Sequence, residues 1–126
     1  MKVTNNFSVV QKALSAGRRN LTEPECLELL KAVGVPTLEH ILAKNAEEAA
    51  TVAKTIGFPV VMKIVSPDIV HKSDAGCVLV GVDSQDRVAG GFGMILENAR
   101  RFRSVAQIEG ILIEKMAKPG QEVIIG

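Results

Sequence analysis

Residues 58–82 read FPVVMKIVSPDIVHKSDAGCVLVGV. Two apolar runs of β-forming residues, Val60–Val65 and Cys77–Val82, flank a polar loop, and this strand–loop–strand unit frames everything on either side. Side chains alternate across a strand, so Val61, Lys63 and Val65 share one face and Val60, Met62 and Ile64 the other. A lysine among β-branched neighbours is costly to bury unless an anion meets it. The loop contributes His71, Lys72, Ser73, Asp74 and Gly76. Cationic groups, a hydroxyl and flexible backbone therefore converge at one end of a strand pair, which suits a phosphate. The residues alone leave a second reading open: an edge-strand lysine whose stem lies on the sheet while its ammonium reaches water beside a charged loop.

Working outward, Thr22-Glu23-Pro24-Glu25 carries a capping box, with Thr22 as N-cap and Glu25 at N3, and proline is tolerated in the first turn. Cys26, Leu29, Leu30 and Val33 recur at helical spacing until Gly34 and Pro36 stop the helix. Leu38–Ala43 is a predicted strand. Asn45-Ala46-Glu47-Glu48 repeats the capping logic before an Ala49, Val52, Ala53, Ile56 stripe, and Gly57 closes that helix ahead of Pro59. Downstream, Asp83–Asp86 is a turn and helix entry, and Val88, Phe92, Ile95, Ala99 and Phe102 mark an amphipathic helix. Gly90, Gly91 and Gly93 read as looseness in its first half rather than as a phosphate cradle. Gly110–Met116 is a strand, Lys118-Pro119-Gly120 a turn, and Gln121–Gly126 the start of another strand.

From Leu38 the elements follow the order βαββαβ. That order predicts an α+β fold with a split βαβ sheet, antiparallel or mixed, and helices packed on one face. Residues 1–20 form a polar linker or N-terminal extension containing a short helix ended by Gly17, and 21–126 form the domain. Because the chain ends on the apolar run Glu122–Gly126, the domain is expected to continue beyond it.

At 126 residues there is room for one domain with a real core. Hydrophobic residues make up 47% and aromatics only 3%, so the core is aliphatic and base stacking on single-stranded nucleic acid is excluded as a main function. A net charge of +1 provides no footprint for duplex DNA or an anionic membrane. No apolar run suggests a membrane span or a signal peptide, so the expectation is a cytoplasmic protein. Cys26 and Cys77 read as small buried hydrophobes in a reducing compartment. Two histidines without a cysteine cluster point to no zinc site, and no metal ligands are assigned within the chain.

There is no GxxxxGK[ST] and no GxGxxG after a strand, which argues against P-loop and Rossmann readings. At the end of the last long strand, Glu114-Lys115-Met116-Ala117 runs out towards Pro119-Gly120. Such a strand end offers backbone donors and acceptors for a purine edge and a polarizable methionine for its ring, or it is simply an amphipathic strand closed by a turn.

Taken together, LTEPECLELLKAVGVP, the 58–82 stretch with its HKSDAG segment, and GILIEKMAKPGQEVIIG resemble the N-terminal lobe of the ATP-grasp domain of ADP-forming (NDP-forming) acyl-CoA synthetases. These are the acetate–CoA ligase branch of the succinyl-CoA synthetase superfamily. The resemblance spans roughly Leu21 to Gly126. It implies that Lys63 contacts nucleotide phosphates and that the loop with Lys72, Ser73 and Gly76 covers them. It also implies that Glu114, Lys115, Met116 and Ala117 form the hinge holding adenine, with Glu122 near the pocket. His71 takes the position of a histidine proposed to carry phosphoryl groups. The implied ligand is ATP or ADP, with Mg2+ held by residues of a second lobe. The implied partners are CoA-binding and CoA-ligase domains or a subunit, with acyl-CoA as a substrate of the full enzyme. Cys77 departs from the family pattern, standing where a second glycine is common, which stiffens the loop. Two alternatives share much of this pattern: the synthetase-like regulatory region of a protein lysine acetyltransferase, and a non-catalytic nucleotide-sensing module.

Overall fold

The computed structural model describes residues 7–123. Two helices, α1 (Phe7–Ser15) and α2 (Glu23–Ala32), precede β1 (His40–Ala43), α3 (Ala46–Ile56), β2 (Val60–Val65), β3 (Val78–Val82), α4 (Gln85–Phe102) and β4 (Gly110–Lys115). The strands form one four-stranded sheet in the order β1-β4-β2-β3. Every neighbouring pair is antiparallel. β1 and β2 therefore run parallel with β4 between them, and β3 and β4 run parallel with β2 between them. These are two interlocked split βαβ units, closed by α3 and α4.

The alternation of β2 divides the sheet into two chemically different faces. Val60, Met62 and Ile64 join Ile111 and Ile113 of β4 in the core, packed against Ala49, Ala53 and Ile56 of α3 and Val88, Phe92, Ile95 and Ala99 of α4. Both helices are capped where expected: the Asn45 side chain accepts from the Glu48 amide at 2.8 Å, and that of Ser84 from the Arg87 amide at 3.2 Å. Gly91 corrects the reading of loose glycines in α4. A Cβ there would lie 2.7 Å from Leu79 Cδ1 and 3.3 Å from Met62 Sδ, so its bare backbone is what lets α4 lie close on the sheet. Gly81, at φ 70°, sits where β3 spends four residues, Leu79 to Val82, against three of β2, Val60 to Met62, and it takes up the resulting bulge.

The opposite face carries Lys63, Leu112 and Glu114, because Lys63 pairs with Leu112 and Val61 with Glu114. Asn20–Glu23 and the start of α2 lie over this face, lining one crevice together with Val65, Ser66, Ile69 and Val70. α2 itself buries none of its side chains. Cys26 is accordingly exposed, which overturns its reading as a buried hydrophobe, whereas Cys77 is buried. Helical periodicity located the helix but not its burial, because a stripe of four apolar residues needs a surface to cover. Within residues 1–20, α1 buries Val9 and Ala13. Residues Gln121–Val123 form no strand, and the remainder of the strand predicted over 121–126 lies outside the described residues. No helix among the described residues is long and apolar enough to cross a membrane.

Candidate functional site

Lys63 stands at the centre of a charged cluster. Its Nζ donates to Glu23 Oε1 at 2.7 Å and to Glu114 Oε1 at 3.3 Å, while Lys72 Nζ donates to Glu23 Oε2 at 3.2 Å. Glu23 thus bridges two ammonium groups from two different elements. Burial alone pulls the Lys63 ammonium down, but the bond to Glu23 and the charges of Glu23 and Glu114 more than offset it, leaving its pKa raised. Burial likewise pushes the Glu23 carboxyl up, and the bonds and charges of Lys63 and Lys72 bring it below its ordinary value. Glu23 is held at the first position of α2 by the turn before it. The Glu25 carboxylate accepts from the Thr22 amide at 2.8 Å and from the Thr22 hydroxyl at 2.9 Å, and Arg18 clamps it through two bonds of 2.8 and 2.9 Å. With the Arg18 guanidinium as the main cause, that carboxyl falls to about 2.

The loop between β2 and β3 folds over the same ground. Ser66 Oγ accepts from the Asp68 amide at 3.1 Å, and the Ala75 amide donates to the His71 carbonyl at 3.2 Å. The Cys77 amide donates to the Lys72 carbonyl at 2.8 Å, closing the turn. Gly76, at φ 70°, ends that turn, and its carbonyl accepts from Asn98 Nδ2 of α4 at 2.8 Å. These bonds set an open cleft of about 560 Å³ whose walls include Lys63, His71, Lys72, Ser73, Glu23 and Cys26. Its lining mixes the Lys63 and Lys72 ammonium groups with the Glu23 and Asp74 carboxylates, and the exposed Ser73 hydroxyl and His71 imidazole share the same concavity. Cys26 is a poor nucleophile there, because partial desolvation and the Glu25 and Glu23 carboxylates push its thiol up.

The structure therefore brings Lys63, His71, Lys72 and Ser73 into one cleft. Gly76 supplies the loop's end on the α4 side. Glu114 reaches the cluster through its side-chain bond to Lys63, from the strand that leads into the expected hinge. Lys115, Met116 and Ala117, expected as the hinge, lie past the cleft. The Lys115 amide donates to the Glu39 carbonyl at 2.8 Å and the Met116 amide to the Pro59 carbonyl at 3.4 Å. Met116 is partly buried and Ala117 exposed. Glu122 is exposed in the extended segment and does not line the cleft. Sequence reasoning missed Glu23, which it spent on the capping pattern. Its place at N1 leaves it without an intrahelical role, but nothing local pairs it with a lysine forty positions away.

No group of three or more histidine, cysteine or acidic side chains is placed to hold a metal ion among the described residues. Of the carboxylates around the cleft, Glu23 and Glu114 are engaged by lysines, and Asp74 also lines its wall.

The ATP-grasp domain model matches residues 12–126. The chain belongs to the ATP-grasp family. Within it, the chain is 45% identical over 120 residues to the ADP-forming acetate–CoA ligase II subunit beta of Pyrococcus furiosus, covering 95% of this chain and 51% of that one. The dinucleotide-forming acetyl-coenzyme A synthetase 1 of Ca. Korarchaeum cryptofilum, in complex with coenzyme A, Ca-AMPCP and HgCl+, superposes with a TM-score of 0.87. It is 43% identical, over 91% of this chain and 50% of that one. The same synthetase with coenzyme A and Mg-AMPPCP, its phosphohistidine segment pointing towards the nucleotide binding site, superposes at 0.73 with 36% identity, over 91% and 46%. The ATP-grasp chain described here thus spans about half the length of these relatives. Its βαββαβ lobe with helices on one face is the fold that the resemblance implied.

Proposed function

We propose that this chain is the nucleotide-phosphate lobe of an ADP-forming acyl-CoA synthetase, residues 21–126 forming the lobe and hinge and residues 1–20 a linker or N-terminal extension. The assembly would interconvert acyl-CoA, ADP and phosphate with the free acid, CoA and ATP. The observation that carries this reading is Lys63, a half-buried ammonium on the open face of β2, facing a cleft that Lys72, His71 and Ser73 also line. Phosphoryl transfer depends chiefly on positioning and charge neutralisation, and two lysines converging from strand and loop supply both. In this reading Lys63 and Lys72 take the phosphate oxygens, and the backbone around Gly76 lets the loop settle over them. The strand end at Glu114–Ala117 offers its edge to adenine, and Glu122 lies close by in the completed pocket.

His71 is exposed on that loop, as a carrier must be. As a phosphoryl carrier in the ATP-forming direction, its phosphorylated ring loses the N–P bond as a β-phosphate oxygen of ADP gains the new P–O bond. Bound Mg2+ would supply further charge neutralisation on the phosphates. In this reading its ligands lie in the second lobe. CoA-binding and CoA-ligase modules are the expected partners, and the cytoplasm the expected location.

The test is assembly. The chain alone is expected to form no ATP. Joined to a second ATP-grasp lobe and supplied with CoA-ligase modules, it should form ATP from acyl-CoA, ADP and phosphate. Given labelled ATP, that assembly should carry acid-labile, base-stable label at His71, absent in His71→Ala. Acyl-CoA-dependent ATP formation by the chain alone would overturn the reading.

A further inference from the structure

Glu23 is the one carboxylate of the cluster that touches both cleft lysines, with one oxygen on each. That is the arrangement by which two oxygens of a phosphate group would bridge the same pair. The cluster as it stands is balanced: Lys63 and Lys72 are matched by Glu23 and Glu114. An incoming polyphosphate finds no net attraction there while Glu23 stays, and a second anion at contact distance from it is repelled. Each ammonium has three donors, and Lys63 already spends two of them on carboxylates.

The two carboxylates are not equally free to leave. Glu114 is buried on β4, a central strand paired on both sides. Glu23 projects from the first turn of α2, a helix with no buried side chain, and rotation of its side chain alone releases both lysines. A carboxylate in the first turn also remains favourably placed near the helix N-terminus after it lets go.

We propose that Glu23 is a built-in competitor for phosphate, occupying the bridging position between Lys63 and Lys72 and giving it up when a polyphosphate binds. This rests on the phosphate-binding role proposed above for the two lysines. The carboxylate keeps two half-buried ammonium groups paired, and it sets a threshold: a ligand must carry more charge than a carboxylate to take both lysines. Di- and triphosphates pass that threshold and monoanions do not.

The experiment uses the full chain with isotopically labelled lysine. The side-chain resonances of Lys63 and Lys72 are followed while inorganic tripolyphosphate is added to the wild type, Glu23→Gln and Glu23→Ala, with amide spectra confirming that each variant is folded. Competition predicts that both variants bind tripolyphosphate about tenfold more tightly than the wild type, equivalent to about 1.4 kcal/mol. Equal or weaker binding by both variants, with Lys63 and Lys72 still responding, would overturn the competitor role and make Glu23 an organiser of the lysines. Lysine resonances that stay unmoved in all three proteins would refute the phosphate site itself, and the role of Glu23 with it.

Discussion

Replacing Lys63 by methionine keeps an unbranched stem of similar length on β2 and removes only the ammonium. The consequence for stability follows from what is left behind. Glu23 keeps Lys72, but among the described residues Lys63 is the only side chain bonded to the Glu114 carboxylate, which is just 11% exposed. A buried acceptor stripped of its partner costs about 1–3 kcal/mol. Lys63 is itself 24% exposed, so water reaches part of the cluster, which places the expected loss in the lower half of that range, about 1–2 kcal/mol. In a urea titration this is a fall of roughly 1 M in the midpoint at unchanged slope. The double variant Lys63→Met/Glu114→Gln removes the stranded charge and should regain most of the loss. A single variant as stable as the wild type, or a double variant no better than the single one, would refute the claim that Lys63 neutralises a buried carboxylate.

Other consequences separate packing from chemistry. Gly91→Ala should destabilise by about 1–3 kcal/mol, because its Cβ meets Leu79, whereas Gly93→Ala, with open space around it, should stabilise by about 0.5–1 kcal/mol. Thermal melts should show opposite signs. Asn98→Ala removes the donor to the Gly76 carbonyl and should cost about 1 kcal/mol, with faster hydrogen exchange at the Gly76 and Cys77 amides. The Glu25 carboxyl is depressed to about 2 from 4.5, so its stabilisation is fully present above pH 4.5 and is lost as the pH falls through about 2. Glu25→Gln should therefore be less stable than the wild type at pH 7, and the two should converge near pH 2 in denaturation curves.

The fold was legible because its punctuation is local. Thr22, Asn45 and Ser84 start helices, Gly34 and Gly57 stop them, and the alternation in 60–65 states which face of β2 meets the core. The charged cleft was only half legible. Lys63 announced itself as a charge in an apolar strand, and the loop residues announced themselves by composition. Glu23 did not, because its partners are fixed by the way Asn20–Glu23 crosses the sheet, and such long-range placement leaves no local mark. Cys26 was misread for a related reason: periodicity reports that a helix has an apolar stripe, not whether anything covers it. Gly91 looked like a weakness in α4, since close approach to Leu79 and Met62 is invisible until the helix is docked.

The central claim is that Lys63 holds nucleotide phosphate, and calorimetric titration with ADP tests it most directly. The chain, joined to the second lobe proposed for it, would be compared with its Lys63→Met variant, each first shown to be folded under the conditions used. Loss of one charge-assisted contact of about 1.5–3 kcal/mol predicts that the variant binds ADP roughly ten- to a hundredfold more weakly. An unchanged Kd would contradict the account.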